Sequence, residues 1–132
     1  MIGLDTNVLV RYIMQDDAEQ SPLAGKLIAG LSEKDGGFVS LVTLVEIVWV
    51  LTACYDLQRS DIVRTVTGLL QSRELVVQYG DVALRAVRFY EAGNADFADC
   101  LIDGSGTAAG CQHTVTFDRK AARSTGMVLL SA

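Results

Sequence analysis

The chain reads as an α/β protein with three layers, helices on either side of a central, mainly parallel sheet. Three observations predict this. Short apolar runs, several of them β-branched, recur at 1–4, 38–41, 75–77, 114–116 and 127–130, with the length and composition of buried strands. Segments with helically spaced apolar residues fill the gaps between them. Strands that alternate with helices build a parallel sheet covered on both faces.

Taken in order, the first strand (1–4) runs into Asp5, which can cap a helix over 6–13. Asp17 can cap a second helix that ends near Leu31, with Gln20 as its capping-box partner and Pro22, the one proline, tolerated near the start. A helix over 43–55 follows the second strand directly and carries Leu44, Val45, Ile47, Val48, Trp49, Val50 and Leu51. Being apolar nearly all round, it needs cover on several sides, one from the core and another from a second subunit or a partner segment, the alternative being burial within the monomer alone. Ser60 opens a helix ending near Leu70, with Ile62, Val63, Val66 and Leu69 apolar, and 81–92 repeats that spacing through Val82, Leu84, Ala86, Val87 and Phe89. Asp96 or Asn94 opens the next helix, which ends by Gly110. A last short helix follows Asp118 and stops at Gly126. No repeat, low-complexity tract or linker interrupts the sequence.

At 132 residues the chain fits a single domain, 1–132. Half its residues are apolar and its mean hydropathy is +0.31, a surplus that a subunit interface would absorb. The net charge of −5 excludes a general nucleic-acid coat, which needs a basic field, but not an enzyme whose bound metal reverses the local sign. Cys54, Cys100 and Cys111 form no C-x-x-C pair and suit reduced thiols rather than a disulfide frame or a zinc site. The start lacks the basic and apolar segments of a signal peptide. The longest apolar run, 38–54, is interrupted by Glu46 and is shorter than a membrane span. These features predict a soluble, cytoplasmic protein without membrane association.

The acidic residues carry the chemistry. Ligands of open parallel sheets bind beyond the carboxyl ends of the strands. Asp5 follows the first strand, Asp118 follows 114–116, Glu46 lies in the first turn of the helix after the second strand, and Asp99 lies in the first turn or so of the helix that begins near Asp96. Four acids brought to one sheet edge would repel, so their convergence requires cations. Oxygen ligands without histidine suit Mg²⁺ or Mn²⁺, one ion or two, better than zinc. Each acid has a plainer alternative. Asp5 and Asp118 can be helix caps. One of Asp96 and Asp99 caps and the other ligates, with Asp99 preferred and Asp96 kept as an additional ligand. Glu46, the one charge between Phe38 and Tyr55, is costly to bury unless paired or bound to metal; otherwise it is exposed. Asp103, one turn after Asp99, reads as a solvated rim residue, with a further ligand role as the alternative. His113, the only histidine, has nothing nearby to orient it as a base.

The segments Ile-Gly-Leu-Asp5-Thr6-Asn7, Leu-Val-Glu46-Ile-Val, Ala-Asp96-Phe-Ala-Asp99-Cys-Leu-Ile and Thr116-Phe-Asp118-Arg-Lys resemble the successive motifs of PIN-domain nucleases, and among those the VapC-type toxins of toxin–antitoxin pairs. The likeness covers essentially the whole chain. It implies a PIN-like fold and a Mg²⁺- or Mn²⁺-dependent endoribonuclease that acts on RNA as a homodimer, held in check by a cognate antitoxin. It also implies metal-ligand roles for Asp5, Glu46, Asp99 and Asp118, supported by Thr6, Asn7 and Thr116. The glycines between Ile102 and Gly110 depart from the alanine-rich helix usual in relatives, and each costs up to ~1 kcal/mol against alanine, which predicts a weaker or shorter helix there.

In such an enzyme Arg11, Arg119, Lys120 and Arg123 are the candidates for RNA phosphate contacts. Three rival readings stand beside it. One is a catalytically degenerate PIN-fold binding module. Another is a small haloacid-dehalogenase-like phosphatase, disfavoured because Asn7 stands where that family has its second aspartate. The third is a receiver-type signalling domain, which lacks an acid directly after the 75–77 strand.

Overall fold

A three-stranded parallel sheet organises the first part of the chain. The computed structural model describes residues 1–131, and they fall into two compact units, Met1–Gly80 and the residues from Asp81 onward. The first unit runs β1 (Ile2–Gly3), α1 (Thr6–Met14), α2 (Gln20–Ala29), β2 (Gly37–Val39), α3 (Leu41–Ala53), α4 (Arg59–Gln71) and β3 (Leu75–Val77). Its strands lie in the order β1-β2-β3 and pair in parallel, Ile2 opposite Gly37 and Gly37 opposite Leu75. Parallel neighbours need a crossover, and α1–α2 and α3–α4 supply the two. Gly36 leads into β2 where a Cβ would stand 2.6 Å from the Glu74 carbonyl oxygen, so a side chain there would force the strands apart.

The core of this unit is aliphatic: Leu9, Val39, Leu44, Ile47, Leu51, Ile62 and Val66 are essentially inaccessible. Each such side chain contributes roughly 1.5–3 kcal/mol on burial. Leu44, Ile47, Val48 and Leu51 recur at the 3–4 spacing of one helix face, and that face of α3 is buried. Val42 and Trp49, one heptad apart on the opposite face, are 70% and 65% exposed. The chain therefore covers one side of its most apolar helix and leaves the other open.

Helix starts follow local chemistry. Ser40 Oγ accepts from the Thr43 N–H at 3.1 Å, which starts α3 two residues before the expected position. Asp61 reaches back to the Gln58 N–H at 3.1 Å and starts α4 at Arg59 rather than Ser60. Asp17 accepts from the N–H groups of Gln20 (2.7 Å) and Glu19 (3.0 Å), which hold its carboxyl below the usual range. The expected capping box with Gln20 is not formed, because the Gln20 side chain accepts from Arg11 Nε at 2.8 Å instead.

The second unit contains α5 (Gly80–Ala92), α6 (Phe97–Ala108), β4 (Val115–Thr116), α7 (Arg119–Ser124) and β5 (Val128–Leu129). β4 and β5 pair in parallel across α7, with Val115 opposite Val128. Buried Tyr90 and Phe97 meet edge-on at 5.8 Å and tie α5 to α6. Despite its glycines α6 runs unbroken over 12 residues. Gly106 has a packing reason: a Cβ there would lie 2.6 Å from Thr114 Oγ1, so the helix can approach the segment before β4 only without one. Asp103 is partly exposed and accepts from the Gly126 N–H at 2.9 Å, bracing the turn before β5.

All the strand pairs in the described residues are parallel and helices separate the strands in sequence, so the fold is α/β as expected. Cys54 and Cys111 are exposed, Cys100 is buried, and all three are free of disulfides. Among the described residues no helix is long and apolar enough to cross a membrane.

Candidate active site

Asp5 leaves β1 directly after buried Leu4, whose N–H bonds to the Phe38 carbonyl at 2.9 Å. The sheet therefore fixes the backbone that presents this acid. Its residue is extended and caps α1, with Oδ1 accepting from the Thr6 N–H at 2.8 Å. The Thr6 hydroxyl donates to Glu46 Oε1 at 3.0 Å, which draws the glutamate of α3 to the start of α1. Glu46 stands in the second turn of α3 and is exposed. The cost of burial expected for it is thus not incurred, and its position is held by Thr6. Asp5, Thr6, Asn7 and Glu46 line one end of a cleft of about 430 Å³ whose walls continue along α1 and α3 to Arg11 and Tyr55.

Arg11 is held on two sides, by Gln20 and by an ion pair with Asp16 at 3.4 Å. Asp16 also accepts from the Tyr55 hydroxyl at 2.7 Å, a contact spanning 39 residues that no sequence pattern announces. The phenol acidity of Tyr55 is suppressed, first by that hydrogen bond, then by partial burial and by the Asp16 charge. A second groove, about 270 Å³ and lined largely by Val8, Leu23, Ala24 and Leu27, lies between α1 and α2. It has no acidic lining.

The second unit holds the other acids. Asp96 occupies the cap position of α6, but its side chain makes no capping bond; it faces Lys120 Nζ at 3.6 Å. Asp99 lies in the first turn of α6. Desolvation raises its pKa above the ordinary value, and the charges of Asp96 and then Asp118 raise it further against a smaller opposing effect of Lys120. Asp118 caps α7, with Oδ1 accepting from the Ala121 N–H at 3.1 Å. Its own N–H donates to Thr116 Oγ1 at 3.0 Å, so Thr116 sets the turn that presents it. Arg119, Lys120 and Arg123 are exposed on α7, with Lys120 already facing an acid. The cap alternative for Asp5 and Asp118 and their availability to a cation are compatible, since each carboxylate spends one oxygen on its cap.

The donors available are carboxylate oxygens, which suit a hard divalent cation. Among the described residues no three His, Cys, Asp or Glu side chains form a ready-made cage. Mg²⁺ does not require one, since it keeps several waters and binds through one or two carboxylates together with substrate phosphates. Asp5 and Glu46 line the same cleft.

The family model for the PIN domain matches residues 2–126. The chain belongs to the PIN-domain family. This PIN domain is also similar to a VapC ribonuclease of Aquifex aeolicus (strain VF5), with 26% identity over 118 residues, 89% of this chain and 87% of the relative.

Proposed function

We propose that this PIN domain is a metal-dependent endoribonuclease, the toxin of a toxin–antitoxin pair, acting in the cytoplasm as one domain. The observation that carries the proposal is that the family match at 2–126 includes Asp5, Glu46, Asp99 and Asp118, with Asp5 and Asp118 each placed where a strand hands over to a helix. The ribonuclease name of the Aquifex relative supports the choice of RNA and of a toxin role with an antitoxin partner.

In this reading Asp5, Glu46, Asp99 and Asp118 hold one or two Mg²⁺ or Mn²⁺ ions, with Asp96 as an additional ligand. Bound metal supplies an activated water and charge stabilisation for phosphodiester displacement. The Thr6 hydroxyl fixes Glu46 beside Asp5 through its 3.0 Å hydrogen bond, and Asn7 lines the same cleft. Thr116 fixes the turn that carries Asp118. Arg11, Arg119, Lys120 and Arg123 supply positive charge for the RNA backbone in an otherwise acidic protein. The exposed Val42–Trp49 face of α3 supports a homodimer built on that helix.

The test is cleavage of a mixed cellular RNA pool by purified protein with Mg²⁺ or Mn²⁺, then with EDTA, beside the Asp5→Asn variant. Cutting that needs metal and is lost in the variant is expected. A folded, inhibitor-free protein that cuts nothing with either metal would refute the nuclease and favour a binding module.

A further inference from the structure

The acidic cleft carries, further along, a chemistry that metal binding does not use. Thr6, Val10 and Arg11 face it from α1, and Glu46 and Val50 from α3, with Tyr55 just past the end of α3. From Thr6 to Arg11 a helix advances about 7.5 Å. The trough between α1 and α3 thus passes from two carboxylates, over a valine-lined stretch, to a guanidinium and an aromatic ring. Both of these end groups are held by Asp16, which accepts from the Tyr55 hydroxyl at 2.7 Å and from Arg11 at 3.4 Å. Arg11 is further braced by Gln20 at 2.8 Å. These bonds use two of the five N–H donors of a guanidinium, and the rest remain for an anion.

An aromatic face with a cation beside it is the arrangement that takes an unpaired nucleotide, the base stacking and the phosphate meeting the positive charge. A base within a duplex is already stacked and cannot reach such a ring. We propose that Tyr55 is the platform on which an unpaired base stacks next to the phosphate to be cut, that Arg11 takes the neighbouring phosphate, and that Asp16 is the positioning residue for both. This makes Tyr55 a determinant of selection for single-stranded over paired RNA, and it rests on the nuclease reading above.

The experiment measures binding by fluorescence anisotropy of a labelled RNA oligonucleotide, single-stranded or annealed to its complement. It is done with Mg²⁺ in the Asp5→Asn background so that RNA is not consumed. Tyr55→Leu keeps apolar bulk but removes the ring, and single-strand affinity should fall about 5- to 150-fold, the range for loss of one base–aromatic stack. Tyr55→Phe keeps the ring and should stay within roughly 3-fold of its parent, with Asp16→Asn between the two. Duplex should bind more weakly than single strand and respond little to any of the changes. Unchanged affinity in a folded Tyr55→Leu protein, Tyr55→Phe as weak as Tyr55→Leu, or duplex bound as tightly as single strand would each overturn the assignment of Tyr55 while leaving the nuclease intact. Absence of RNA binding by the parent, together with absence of cleavage by the unmodified protein, would overturn both.

Discussion

Replacing Asp99 by Asn separates the two things a metal-binding carboxylate does, destabilising the empty fold and stabilising the loaded one. Asp99 is partly buried, and its pKa is raised by desolvation, then by Asp96 and Asp118. An acid whose pKa is higher in the folded than in the unfolded state opposes folding wherever it is ionised. The penalty is full above the raised value and disappears as pH falls below the unfolded value of 3.8. Asp99 also stands in the first turn of α6, where a negative charge gains ~0.3–1 kcal/mol from the helix dipole. The raised pKa means that the repulsion and desolvation prevail. The site is largely solvated, so the balance is small, a few tenths to about 1 kcal/mol. In EDTA at neutral pH Asp99→Asn should therefore melt up to roughly 4 °C higher than the unmodified chain, and the gain should vanish near pH 3. Adding Mn²⁺ at ten times its dissociation constant should stabilise the unmodified protein by ~1.4 kcal/mol and the variant hardly at all, reversing their order. Thermal melts followed by circular dichroism test both steps. A variant less stable than its parent in EDTA, or a parent whose midpoint ignores the metal, would refute the reasoning.

Other substitutions separate positioning from folding. Thr6→Val removes the hydroxyl that donates to Glu46 and should lower cleavage about 2- to 10-fold, while Thr6→Ser should restore it in the same assay. Asp118→Asn keeps a side chain that can cap α7 and should lose cleavage at nearly unchanged urea stability, whereas Asp118→Ala should lose cleavage and about 1 kcal/mol. Gly106→Ala places a Cβ 2.6 Å from Thr114 Oγ1 and should cost about 1–3 kcal/mol. Gly104→Ala, whose nearest neighbour is Val82 at 3.8 Å, should gain up to ~1 kcal/mol in the same denaturation measurement.

The elements were legible because their signals are local. The strands at 75–77 and 114–116 appear within a residue of those bounds as β3 and β4, and the one at 38–41 as β2, which stops at Val39 because α3 already starts at Leu41; an apolar β-branched run between helical spacings has few other uses. Asp5 and Asp118 could be placed for the same reason, each following a strand directly. Capping was less legible, because Gln20 can serve Asp17 or Arg11 and only tertiary structure chooses Arg11. The exposure of Glu46 was hidden because its neighbours in sequence are apolar while its neighbour in space is the Thr6 hydroxyl, 40 residues away. The Asp16–Tyr55 contact was invisible for that reason too. Gly106 looked like a weak helix because propensity reports the helix alone and not the Thr114 side chain against it.

The most direct test of the central proposal, that Asp5 and Asp99 are metal ligands, is calorimetric titration of Mn²⁺ into the protein, Asp5→Asn and Asp99→Asn. Loss of either carboxylate should weaken Mn²⁺ binding at least about tenfold. Full affinity in both variants would contradict a carboxylate metal site.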